Sequence, residues 1–185
     1  GTVRYSFLSA GTGHTCAIAT TGKAYCWGFN LNGQLGDGTY GDHAAPAPVQ
    51  GNLSWVNLST GGSYTCGIAT DSLAYCWGWN SSGQLGDGTN TDHPTPAPVT
   101  GGLKFQSISA NTRHSCGLTF AGEAYCWGSN DNGQLGTGDT DVSNEPRLVN
   151  GGLTWAAVDA GFSHSCGITT NGSGSCWGRN QFGQL

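Results

Sequence analysis

The chain has 185 residues, of which only 9% are charged, with 33 glycines, seven tryptophans, eight cysteines and no methionine. Its net charge of -5 leaves six bases, Arg4, Lys23, Lys104, Arg113, Arg147 and Arg179; they are scattered, so the clustered basic surface that phosphate contacts need is missing and no nucleic-acid partner is expected. No run reaches the ~18 apolar residues of a membrane span, and so few charges cannot furnish a long solvated helix, which leaves short strands joined by glycine-rich turns and an all-β fold.

In the first 50 residues the pattern predicts strands over residues 3–9, 14–19, 24–28 and 46–49. The last of these carries Pro46 and Pro48, and because proline removes a ladder donor it belongs at a sheet edge. Between the third and fourth strands lies a stretch over 29–45, longer than compact domains usually allow. Its shared part, GxNxxGQLGDGT, reads as an ordered loop whose glycines supply positive φ angles around a buried Leu35, and its later part varies and faces solvent.

The same elements recur with a period of 50 residues and no slip of register. Cys16, Cys66, Cys116 and Cys166 share one column, Cys26, Cys76, Cys126 and Cys176 a second, and Trp27, Trp77, Trp127 and Trp177 a third. The division expected is a single propeller segment over 1–185, with four-stranded units at about 1–50, 51–100, 101–150 and 151–185, the last incomplete. Strands rich in apolar residues on both faces describe blades covered on each side by their neighbours.

Cys16 and Cys26 bracket a hairpin. Facing positions in a hairpin share a constant sum of residue numbers, and the even sum here demands an odd loop, met by three residues at 20–22 with Gly22 at the left-handed place. Directly opposed cysteines lie within disulfide range. Four intra-blade bridges are therefore expected, 16 to 26, 66 to 76, 116 to 126 and 166 to 176, and with them an oxidising compartment, secreted or cell-surface. The alternatives are free buried thiols and a zinc site, which would favour closer pairs.

The segment HTCAIATTGKAYCWGFNLNGQLGDGT and its three copies resemble the RCC1 repeat, the blade of a seven-bladed propeller family, and look closest to its secreted bacterial, cysteine-bearing members. That resemblance implies binding roles: nucleotide exchange on a small GTPase, nucleosome binding, ultraviolet perception, or inhibition of β-lactamases. The places of the photoreceptor GWRHT motif read GTGHT, GGSYT, NTRHS and GFSHS, against that activity, and a basic face for chromatin is missing. Four units are fewer than seven, so further repeats in a longer chain are expected to cover the open blade faces, or failing that a homo-oligomer.

The loop between the first and second strands leaves the blade at the same end as the long loop. Residues there that break the repeat are Tyr40, Arg113 and Phe162, and aromatic and Arg side chains are the usual anchors of protein interfaces; drift on an unselected surface is the competing reading. His14, Tyr64, His114 and His164 form a column, and a group present in every blade serves the blade rather than one asymmetric catalytic set. Asp42 with His43 and Asp92 with His93 could hold a metal only with a third ligand, and the third unit reads Asp141 and Val142, so no metal and no cofactor is expected. The function expected is an extracellular protein-protein interaction module and not an enzyme, with a self-assembling structural subunit as one alternative and a propeller enzyme as another.

Overall fold

The computed structural model describes residues 3–185; residues 1 and 2, at the start of the first unit, lie outside it. The first sheet contains β1 (Tyr5–Ala10), β2 (His14–Ala19), β3 (Ala24–Gly28) and β4 (His43–Pro48). The second contains β5 (Trp55–Thr60), β6 (Tyr64–Ala69), β7 (Ala74–Gly78) and β8 (His93–Pro98), and the third β9 (Phe105–Ala110), β10 (His114–Thr119), β11 (Ala124–Gly128) and β12 (Ser143–Leu148). The fourth has three strands, β13 (Trp155–Ala160), β14 (His164–Thr169) and β15 (Gly174–Gly178). All pairings are antiparallel in simple meander order, and the first strands of successive sheets approach one another, so the sheets are propeller blades in an unclosed arc. Among the described residues one 3-10 turn, at Thr100–Gly102, is the helical content.

The predicted strands differ from the observed ones at their ends. The first strand starts at Tyr5 rather than residue 3 and runs to Ala10, and the fourth starts at His43, three residues before its first proline, and stops at Pro48. The fourth strand pairs with β3 at only a few positions across an irregularity, as a proline-bearing edge strand must. Within the hairpin, Cys16 faces Cys26, Gly22 N–H donates to Ala19 O at 2.8 Å, and Gly22 sits at φ 82°. Ser72 takes the same conformation at φ 69° without the freedom of glycine.

Disulfides join Cys16 to Cys26, Cys66 to Cys76, Cys116 to Cys126 and Cys166 to Cys176, with Cα separations of 4.0–4.1 Å. Such closeness marks the narrower, non-hydrogen-bonded kind of antiparallel site. Each closes a loop of about 11 residues, a constraint that contributes roughly 2–3 kcal/mol by restricting the unfolded chain.

Neighbouring blades bury one another. Cys16, Ile18, Ala24 and Cys26 of the first blade pack against Trp55, Leu58 and Trp77 of the second, and equivalent residues repeat this at the next two junctions. Burying an Ile or Leu of this kind is worth about 1.5–3 kcal/mol.

The long loop crosses the junction. Asn30 organises it, its side chain accepting from Leu35 N–H at 2.9 Å and donating to the Gly41 carbonyl at 3.0 Å. Leu35 is fully buried, and the Gln34 carbonyl beside it accepts from Trp77 Nε1 at 3.0 Å and from Thr65 Oγ1 at 2.9 Å, both in the next blade. The Gln84 carbonyl does the same for Trp127 and Ser115, and the Gln134 carbonyl for Trp177 and Ser165. Gly36 lies against the Trp77 indole, where an added Cβ would stand 2.5 Å from Nε1 at a φ of 72°, so the motif requires glycine there twice over.

The histidine column completes each junction. His14 Nε2 lies 2.8 Å from Thr65 Oγ1 and His114 Nε2 lies 2.9 Å from Ser165 Oγ; between them, the Tyr64 hydroxyl sits 2.9 Å from Ser115 Oγ. Because Thr65 and Ser165 spend their protons on the loop carbonyls, each must accept from histidine, which fixes the Nε2–H tautomer and leaves Nδ1 bare. Both Nδ1 atoms are buried without a partner, and burial lowers both pKa values to about 4. Between pH 6.5 and about 4 the unfolded chain therefore takes up protons that the folded chain refuses, so stability present at neutral pH falls as the pH drops through that window and levels off below it. A difference of that size amounts to about 3 kcal/mol per ring. Thermal unfolding followed from pH 7 to pH 4 should show the melting temperature falling, and His114→Tyr, which copies the residue of the preceding blade, should reduce the fall by about half.

Candidate functional site

The loops that break the repeat are held at one end of each blade by a backbone bond that does not vary. Phe29 N–H donates to the Gly13 carbonyl at 2.9 Å, Trp79 to Ser63 at 2.9 Å, Ser129 to Arg113 at 2.8 Å and Arg179 to Ser163 at 2.9 Å. Position 13 of each unit is thus tied to position 29, while the side chains there change from blade to blade.

Arg113, exposed, lays its guanidinium over the Trp79 ring of the preceding blade, 5.1 Å from the centroid. In the third unit itself Ser129 stands where the earlier units have the large rings of Phe29 and Trp79, and the space opens into a cleft of ≈ 260 Å³ lined by Thr112, Arg113, Ser129, Asp131 and Phe162. The smaller side chain also changes its neighbour: Gln134 Nε2 donates to Ser129 Oγ at 3.3 Å, whereas Gln34 and Gln84 Nε2 are buried without a partner. Phe162 stands at the rim, 65% exposed.

Of the three repeat-breaking residues, Arg113 and Phe162 line one cleft between the third and fourth blades. Tyr40 lies apart, exposed on the long loop of the first blade, and contributes nothing to the cleft. Sequence reading passed over Trp79, Ser129 and Asp131. The signal was present, since position 29, directly after the repeated CWG, reads Phe, Trp, Ser and Arg. Phe29 and Leu31, both exposed, extend the apolar character of this end to the first blade.

The chemistry available here is recognition. Among the described residues His43 Nε2 lies 2.6 Å from Asp37, His93 Nε2 lies 2.8 Å from Asp87, and Arg147 forms an ion pair with Asp139; none of these engages Arg113. Its donors suit a carboxylate or carbonyl oxygen of a partner, while Phe162 offers a flat apolar anchor. Asp42 and Asp92 accept from the Asn30 and Asn80 amides at 2.8 and 2.7 Å, so these carboxylates, like His43 and His93, brace their loops. In the third unit Thr137 and Asp139 exchange the places of Asp and Thr, and hydrogen bonds from Arg147 hold the Asp139 carboxyl at about 2.

The sequence pattern described as the Regulator of chromosome condensation (RCC1) repeat matches residues 21–68, 71–118 and 121–168, and a second form of it matches 6–34, 55–84, 105–134 and 155–184. No curated protein sequence matches the chain. Among solved structures the chain is similar to human WBSCR16, at 22% identity and a TM-score of 0.84 over 95% of this chain and 48% of that one. It is also similar to yeast RCC1 (Prp20) bound to Kap60, at 21% and 0.85 over 97% and 45%, and to the ectodomain of the receptor kinase CR4 of Physcomitrella patens, at 25% and 0.66 over 96% and 42%. The chain spans somewhat less than half the length of each.

A cation-π contact at an exposed site is worth about 0.5–1 kcal/mol. Arg113→Ala should therefore lower the unfolding free energy by no more than about 1 kcal/mol in a denaturant titration, a cost small enough to leave the residue free for contact with a partner.

Proposed function

The chain belongs to the RCC1-repeat family, and from that premise we propose that it is an extracellular protein-binding propeller module that engages its partner through the loop face between its third and fourth blades. The observation that carries this reading is the cleft in which Arg113, held over Trp79 and free of any ion pair among the described residues, stands beside exposed Phe162. An aromatic and an arginine meeting at a concave place form the side-chain set from which interface hot spots are drawn.

The compartment reading rests on the cysteines. All eight are paired in four bridges, a usage that belongs to oxidising surroundings. The solved ectodomain of the receptor kinase CR4 is similar to this chain over 96% of the chain's length, and no helix among the described residues is long and apolar enough to cross a membrane. Binding rather than catalysis is supported by how the titratable groups are used: His14 and His114 are buried and committed between blades. Yeast RCC1 was crystallised with a protein partner, Kap60.

A photoreactive phenylalanine at position 162 should form a covalent adduct with one partner, and Arg113→Ala should abolish it. Arg113→Ala and Phe162→Ala should each weaken that partner's affinity about tenfold or more, about 1.4 kcal/mol. The same probe at Phe120, exposed on the hairpin turn at the other end of the blade, should give none; adducts from Phe120 that persist in Arg113→Ala would refute the loop face. Intact mass under non-reducing conditions should fall short of the fully reduced chain by eight hydrogens, and free thiols would remove the extracellular assignment.

A further inference from the structure

The three junctions share one packing but not one group at the head of the column. At the first and third, His14 Nε2 lies 2.8 Å from Thr65 Oγ1 and His114 Nε2 lies 2.9 Å from Ser165 Oγ. At the second, the Tyr64 hydroxyl donates to the His114 carbonyl at 2.6 Å and sits 2.9 Å from Ser115 Oγ. All three side chains are buried. A phenol stays uncharged throughout the acid range, and burial pushes the Tyr64 hydroxyl further up still. An imidazole does not share that indifference.

Charging His14 or His114 places a second N–H on a buried Nδ1 that has no acceptor. The neighbouring strands supply none. Against His14 stand Tyr5 of β1, Tyr25 of β3 and Tyr64 of β6, with no titratable group on β5. Against His114, β9 offers none, β11 offers Tyr125, and Asp159 of β13 already accepts from Ser109 Oγ at 2.6 Å. His164, across the junction on β14, repels a positive ring; Arg113, next to His114 in the chain, is laid over Trp79. The long loops add Asp37 and Asp42 in the first unit, Asp87 and Asp92 in the second, and Asp131, Asp139 and Asp141 in the third. Among the described residues none of these carboxylates bonds to either ring.

A closed junction of this kind refuses the proton, and burial holds both rings at about 4 rather than the ordinary 6.5. Opening wets the ring and restores its ordinary affinity for protons. Closure is therefore at full strength above pH 6.5, weakens as the pH falls below it and levels off near 4. The second junction, headed by tyrosine, has no such dependence.

The third junction lies beneath the cleft. Arg113, Ser129 and Asp131 belong to the third unit and Phe162 to the fourth, while Arg113 and Trp79 span the second junction. Opening the third junction carries Phe162 away from Arg113 and leaves Arg113 in place on Trp79.

We propose that acid opens this chain selectively at its first and third junctions, sparing the second, and that the third opening takes apart the cleft of Arg113 and Phe162. The opening stands on the junctions alone; its use in releasing a partner rests on the binding reading of that cleft.

Each junction carries its own reporter, because Trp77, Trp127 and Trp177 donate their indole N–H to the Gln34, Gln84 and Gln134 carbonyls across the first, second and third junctions. Indole hydrogen exchange in the 185-residue chain, followed by NMR and divided by the rate of free indole at the same pH, reads how often each junction opens. Between pH 7 and pH 5 the protection of Trp77 and Trp177 should fall about twentyfold, the gain in proton uptake by a wetted ring over a buried one, while that of Trp127 holds. His14→Tyr should make Trp77 as insensitive as Trp127. Tyr64→His should give Trp127 the same fall, since Gly61 stands beside Tyr64 as Gly11 stands beside His14. The proposal is overturned if all three indoles fall together, if Trp77 or Trp177 holds, or if Tyr64→His leaves Trp127 insensitive. Should a variant lose its strand circular-dichroism signal, the three indoles of the unaltered chain decide alone. None of these measurements involves a partner, so a failed binding reading shows separately, as absence of the adduct from position 162 at neutral pH. A partner captured there should raise the protection of Trp177 and leave that of Trp77 unchanged, because it clasps the third junction only; equal gains at both would break the link between junction and cleft.

Discussion

One backbone oxygen per junction, the carbonyl of Gln34, Gln84 or Gln134, couples each blade to the next by accepting from a hydroxyl and an indole at once. A sheet apolar on both faces must be covered, yet an apolar layer is non-directional and would tolerate sliding. Directional bonds aimed at a single buried acceptor remove that freedom, since a blade displaced by one residue would strand an indole N–H, a hydroxyl and a carbonyl together, each unmet group costing about 1–3 kcal/mol. The loop glycine under the indole and the asparagine that shapes the loop exist to hold that oxygen where it is needed.

The same coupling explains why the proposed binding site is built from departures. At the three junctions the recurring side chains are consumed: His14 and His114 by the neighbouring hydroxyl, Trp77, Trp127 and Trp177 by the loop carbonyl, and the cysteines by each other. Positions 13 and 29 have their backbones tied together in every unit while their side chains differ, so they can change without loosening the propeller. Replacing a ring by Ser129 opened a cleft, and placing Arg113 and Phe162 around it gave that cleft its chemistry. Rigid support beneath variable side chains is what a recognition surface requires.

Each blade also has a direction. Its two faces differ, so the arc has unlike ends and any contact that continues it joins different surfaces rather than identical ones. Ile18, Ile68 and Leu118, each 3% exposed or less against the following blade, show that the core of a blade lies partly in its neighbour.

How far these properties could be read from residues alone depends on separation along the chain. The period of 50, the hairpin register and the pairing of cysteines ten residues apart were all written locally, because facing positions in a three-residue hairpin are set by counting. Strand ends were misjudged by one to three residues, since proline marked the fourth strand's edge character but not its start at His43. The long loop was recognised as ordered and Leu35 as buried, but its docking site was not legible: its bonds join residues 31 and 43 apart, and those of the histidine column join residues 51 apart. Arg113 and Phe162 stood out as breaks in a repeat, yet only the angle between blades placed them in one cleft with Ser129 and kept Tyr40 away. Local hydrogen bonding determines a blade from its own residues; the packing of one blade on another, which no single unit contains, decided where the surface opens.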